Sequence, residues 1–230
     1  MIAVLVNFAA VLAGGGIGLL LKKGIPDKLN KGVMTAMALC VLYIGISGTL
    51  DCSNALIMVI AMALGAVVGT LIDLDGKLEK FSRFTERKLS KNGEGGIAVG
   101  FMTSTLLFCV GAMAIVGSLN AGLEGSYEVL FTKSVIDGVS ACMLACTLGA
   151  GVLLSAFSVA LYQGAIVALS GLLATLLTNE ALIGEVGAVG SLMIVALGLN
   201  MLGLTKIKVA NLLPALIFVP PVYFLLQYIM

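Results

Sequence analysis

Between Ser134 and Thr178 the chain runs for 45 residues with one charged side chain, Asp137. At 1.5 Å per residue a single helix of that length would reach about 67 Å, roughly twice the ~30 Å hydrocarbon core of a bilayer. A lipid-exposed loop is no alternative, because hydrocarbon offers nothing to satisfy free backbone N–H and C=O groups. The stretch must therefore be helical and fold back on itself, near Ser155–Ser158 or at Gly149–Gly151. It supplies two membrane crossings.

Six further apolar runs are each long enough for one crossing: Ile2–Leu21, Gly32–Leu50, Asn54–Ile72, Gly96–Leu119, Val186–Leu204 and Val209–Ile229. The total is eight. Composition agrees, since 60% of the 230 residues are hydrophobic and 11% are charged. Soluble domains hold about 45–50% and about 25%. A water-soluble fold of this size could not hide the surplus, so it faces lipid. The fold class is all-α, a polytopic transmembrane helix bundle in one membrane domain. The first run lacks a basic segment before it and has basic residues after it, so it reads as a retained helix and not a signal peptide.

Charge placement tests the count. Twelve of the 13 Lys and Arg residues fall into three clusters. Lys22, Lys23, Lys28 and Lys31 follow the first crossing; Lys77, Lys80, Arg83, Arg87, Lys88 and Lys91 follow the third; Lys206 and Lys208 follow the seventh. The intervening loops carry Asp51, Glu124, Glu128, Glu180 and Glu185, with Lys133 as their one base. Cytoplasmic loops are enriched in Lys and Arg. Eight crossings put all three clusters on that side and both termini outside, whereas seven would move Lys206 and Lys208 across. Residues 74–91 are too charged to cross. Leu74, Leu78, Phe81 and Phe84 recur at helical spacing, so this segment reads as an amphipathic helix at the cytoplasmic interface, its bases near anionic headgroups.

Two portions of the chain follow one plan. Residues 1–73 and 157–230 each hold three apolar helices, with Gly45 of LYIGISGTL matching Gly198 of VALGLNMLGL. The first starts outside and the second starts from the cytoplasm. The first link, KKGIPDKLNK, is accordingly basic and the second, TNEALIGE, acidic. An inverted-topology repeat of three helices, with residues 96–156 as central helices, is the build of many secondary transporters.

The segments FCVGAMAIVGSLNAGL (Phe108–Leu123), KSVIDGVSA (Lys133–Ala141), GAGVLLSA (Gly149–Ala156) and LYQG (Leu161–Gly164) resemble those of the domain-of-unknown-function 554 family, the YqgA- and YdfK-like bacterial membrane proteins. The resemblance covers essentially the whole chain. It implies a multi-pass protein of the bacterial inner membrane with no assigned activity, and it carries over no site residues.

Intramembrane polar residues are candidates for function because hydrocarbon penalises them. Ser118 and Asn120, between Gly117 and Gly122, would suit an interrupted helix whose freed backbone binds an ion or solute; the plainer reading is a helix end capped by Asn120 and Gly122. Asp137 could pair with a cation or carry a proton; the plainer reading is a capping box with Ser134 at a helix start. Tyr162 and Gln163 set a phenol and an amide in an apolar run. Asn7, Asn200 and Asn211 would serve as interhelical hydrogen-bonding groups, but Asn7 with Gln163, or Asn200 with Asn120, could share a cavity. The GxxxG pairs Gly14–Gly18, Gly65–Gly69 and Gly96–Gly100 permit close helix approach within one chain or in a homodimer.

There is no His, no HExxH, no GxSxG and no GxxxxGK, so neither an enzyme nor a metal or other cofactor is expected. Four of the five cysteines, Cys40, Cys109, Cys142 and Cys146, lie inside apolar runs and read as small apolar residues. A net charge of +1 argues against a nucleic-acid partner. The expected function is transport of a small solute or ion by alternating access around a polar midplane site. The alternative is a scaffold, sensor or regulator acting through the amphipathic segment.

Overall fold

The computed structural model describes residues 1–22, 27–77, 80, 97–109, 112–171 and 179–229. All regular structure among them is helical: α1 (Ile2–Lys22), α2 (Asp27–Thr49), α3 (Ala55–Ile72), α4 (Ile97–Cys109), α5 (Ala112–Leu123), α6 (Glu128–Leu148), α7 (Gly151–Ala168), α8 (Glu180–Met201), a 3₁₀ turn (Val209–Leu212) and α9 (Ala215–Ile229). Seven spans are long and apolar enough to cross a membrane singly, and α4 with α5 forms an eighth, bent by 56°. Polarity runs opposite to that of a soluble protein. Leu71 and Leu161 are 81% and 76% exposed, whereas Asn7, Gln163 and Glu185 are fully buried.

Most of the amphipathic segment 74–91 lies outside the described residues; positions 74–77 and 80 are helical. The long apolar stretch folds back at the second of the two expected places. Helix α6 ends at Leu148 and α7 begins at Gly151, with Gly149 between them at φ +80°. That conformation is open to glycine and strained for other residues. The fourth span consists of two helices, Ile97–Cys109 and Ala112–Leu123, and positions 110–111 lie outside the described residues.

The helices gather into two compact units, one of Met1–Met37 with Gly96–Asn179, the other of Ala38–Gly95 with Glu180–Met230. These boundaries cut across the suggested repeats. Each unit takes helices from both.

In the first unit α1 and α6 lie side by side and parallel. A Cβ on Gly14 would collide with the Gly138 carbonyl, and one on Gly18 with that of Cys142. A Cβ added to Gly100 would lie 3.1 Å from the Leu148 carbonyl and one on Gly151 would collide with that of Ile97, so α4 starts where α7 starts. Gly122 meets Ser170, so α5 finishes beside the far end of α7. The α4–α5 pair therefore traverses the full length of α7 and is a broken span, not a loop returning to its own side. Ala3, Val4, Ala121 and Leu130 form an apolar plug where α1 and α6 begin and α5 ends.

In the second unit α2 and α8 are antiparallel, as are α3 and the α9 segment. A Cβ added to Gly45 would come within 2.7 Å of the Val195 amide and one on Gly198 within 2.6 Å of the Leu42 side chain, and Cβ atoms on Gly65 and Gly69 would collide with Ala215 and Asn211. Two glycine pairs proposed as contact faces are thus used inside the chain. Asn54 caps α3, its side chain accepting from the Leu56 amide at 3.0 Å.

Candidate functional site

The close approach of α1 to α6 creates the site. On α1, Asn7 lies two turns before Gly14 and so shares its inward face. On α6, Lys133 and Asp137 are four residues apart, which stacks them on one face. Their side chains form a bidentate ion pair, with Lys133 Nζ 2.9 Å from Asp137 Oδ1 and 2.8 Å from Oδ2. Asn7 donates through Nδ2 to Asp137 Oδ2 at 3.0 Å and to Gln163 Oε1 on α7 at 3.2 Å. All four residues are buried, the two charged ones no more than 5% exposed.

Counting 1.5 Å per residue from the helix starts places Asn7 about 8 Å and Asp137 about 14 Å deep. The apolar cluster of Ala3, Val4, Ala121 and Leu130 lies toward the helix starts, and the close approach of α1 to α6 at Gly14 and Gly18 lies toward the other end. Two buried atoms in the cluster have no hydrogen-bond partner among the described residues, Asn7 Oδ1 and Gln163 Nε2. Native interiors rarely leave such groups unpaired.

The structure brings together two of the candidates, Asp137 and Gln163, along with the suggested Asn7–Gln163 pair. The capping-box reading of Asp137 is overturned. Residue 137 is in mid-helix, and the Ser134 hydroxyl instead donates to the Leu130 carbonyl at 2.7 Å. Ser118 does the same toward Ala114 at 2.6 Å, which occupies its hydroxyl. Asn120 lies near the end of α5, its backbone carbonyl accepting from Glu124 and Ser126, so the proposed break at 117–122 is a helix terminus. Tyr162 is half-buried, about 100° around α7 from Gln163. Asn200 belongs to the other unit, where it clasps the loop after α8 by bonds to Thr205 and Ile207 at 2.7–2.9 Å.

Lys133 is the residue that sequence reasoning missed. Its closeness to Glu124 and Glu128 gives it the look of a loop base, though its i,i+4 spacing to Asp137 is the signal for a shared helix face. Glu185 likewise has the look of a loop acid in the sequence. It is fully buried in the second unit, where it accepts from the Ser53 and Asn54 amides at 2.9 and 2.8 Å and from the Cys52 thiol at 3.3 Å. Those donors satisfy it, so it acts as a brace at the start of α3. Burial first, then the Glu185 carboxylate, push the Cys52 thiol above its usual range.

Buried polar groups converging from three membrane-length helices, within an apolar exterior, define a multi-pass helical membrane protein. The sequence comparisons identify the particular group. The family model described as a protein of unknown function (DUF554) matches residues 2–224, and the chain belongs to that family. It is 31% identical over 231 positions to the uncharacterized membrane protein YdfK of Bacillus subtilis (strain 168), covering 99% of this chain and 97% of the relative. It is 29% identical over 220 positions to the uncharacterized protein YqgA of Escherichia coli (strain K12), covering 94% and 93%. No solved structure matches the chain.

Proposed function

We propose that this protein is a transporter that moves a small solute or ion across the bacterial plasma membrane by alternating access, with Asn7, Lys133, Asp137 and Gln163 as its binding site. One observation carries the reading. A polar cluster with a donor and an acceptor unused lies at membrane depth in the first unit, between an apolar plug and a tightly packed seam. Neither charge would be placed there for stability, since a buried ion pair contributes little beyond an apolar replacement.

An inverted repeat supports the same reading. Helices α2 and α8 start at residues 27 and 180, an offset of 153, which is also the offset between Gly45 and Gly198. Adding 153 to Leu42 gives Val195, so the Gly45–Val195 and Gly198–Leu42 contacts are images of one another under that shift. Such reciprocity is expected of two halves related by a pseudo-two-fold axis.

The test needs no known substrate. In a cysteine-free background, Gln163→Cys should be labelled by a membrane-impermeant thiol reagent from either face, in right-side-out and in inverted vesicles. Alternating access requires both. A thiol that stays unreactive from both faces would mark the cluster as a static polar core and end the transport reading.

A further inference from the structure

The cluster's own hydrogen bonds determine what it can hold. Both carboxylate oxygens of Asp137 accept hydrogen bonds, Oδ1 and Oδ2 from the ammonium of Lys133 at 2.9 and 2.8 Å, so the group facing Oδ2 from α1 must be a donor. This sets Asn7 with Nδ2 inward and Oδ1 free. Because Nδ2 also reaches α7, the facing atom of Gln163 must be an acceptor, which leaves Nε2 free. Turning either amide around would set like against like, oxygen on carboxylate or N–H on N–H. The unpartnered pair is therefore one carbonyl acceptor and one N–H donor, on neighbouring side chains.

Charge sets the second limit. Lys133 and Asp137 cancel, and among the described residues no other charged side chain joins the cluster. A cation entering would be opposed by the ammonium and an anion by the carboxylate. Either would leave an uncompensated charge at membrane depth, a cost of several kcal/mol in such surroundings. An uncharged solute disturbs neither member of the pair.

On the reading of the cluster as a transport site, we propose that its substrate class is a small uncharged solute bearing an acceptor and a donor on one polar group, of which the primary amide is the simplest. The amide carbonyl accepts from Gln163 Nε2–H, and its N–H donates to Asn7 Oδ1. Both orphaned atoms are satisfied and the ion pair stays intact.

Three probes of similar size separate charge from shape: acetamide, acetate and methylammonium. Thermal unfolding of the full chain in detergent should show a saturable rise in Tm with acetamide and none with the two ions, as expected when a ligand binds the folded state alone. Gln163→Met, which keeps the volume and removes the donor, should abolish that rise. In proteoliposomes, light scattering should report acetamide entry faster than into protein-free vesicles. A rise in Tm with acetate or methylammonium, acetamide being silent, would overturn the substrate class and leave transport standing. An acetamide effect that survives Gln163→Met would overturn the site. No response to any probe would mean that the free atoms hold only a buried water, which also overturns the proposal. If Gln163→Met does not fold, the wild-type comparison of the three probes still decides the substrate class.

Discussion

At the scale of single residues, Lys133 and Asp137 depend on one another. Removing one partner of a buried pair strands the other and costs about 3–5 kcal/mol, whereas replacing both by apolar groups is close to neutral. Lys133→Met should therefore lower the unfolding temperature of the detergent-solubilised protein sharply. The double variant Lys133→Met/Asp137→Leu should recover most of that loss while losing any solute response. Equal destabilisation in both variants would refute the coupling. Asp137 and Gln163 were legible in the sequence because each interrupts an apolar run. Lys133 was not, because it sits close enough to Glu124 and Glu128 to pass for part of their loop. Only its distance of four residues from Asp137 told against that, and such spacing is common on exposed helices too.

At the scale of helices, small residues decide which faces meet. Gly14 lies against the Gly138 carbonyl, so Gly14→Ala should push α1 off α6 and destabilise the protein by about 1–3 kcal/mol. Gly16, two residues away, has nothing within 4 Å of its missing side chain. Gly16→Ala should leave stability unchanged or raise it by up to ~1 kcal/mol through the unfolded chain. Thermal unfolding of the two variants side by side checks the contrast. The spans themselves were readable from length and apolarity alone. Their partners were not, since GxxxG spacing shows that a helix can be approached closely without showing by what. The fold-back at Gly149 was readable to within two alternatives because a 45-residue apolar stretch must turn somewhere. Gly117 and Gly122, the visible helix-weakening residues, serve close packing of α5, Gly117 against Val129 and Leu130 and Gly122 against Ser170, so of the two readings of this segment the helix end is the one that fits.

At the scale of the whole molecule, an even number of traverses puts the two ends of the chain on the same face. We expect that face to be the outer one, because the lysine-bearing links then lie inside. A green fluorescent protein fused after Met230 should be dark when exported unfolded to the periplasm, and an alkaline phosphatase fusion active. The reverse pattern would break the parity. Cys52 gives an independent check, since it lies between α2 and α3 on the expected outer side. An impermeant maleimide should label it in intact cells. Its raised pKa means that the thiolate is scarce at neutral pH, so labelling should keep accelerating as pH climbs past the ordinary thiol range. Glu185→Gln removes a neighbouring negative charge and should make the reaction faster at a given pH.

The first unit is stitched from chain segments made far apart in time. Asn7 meets Asp137 across 130 residues, a gap that a ribosome adding about 5–20 residues each second needs roughly 6–26 s to fill. Through that interval the newborn α1 must wait in lipid with a bare amide and an uncovered glycine seam, exposed to whatever neighbouring helix or quality-control protease reaches it first. The vulnerable moment in this protein's life falls before α6 leaves the ribosome, and a nascent chain arrested short of Glu128 should be cleared quickly, while one arrested after α7 should persist.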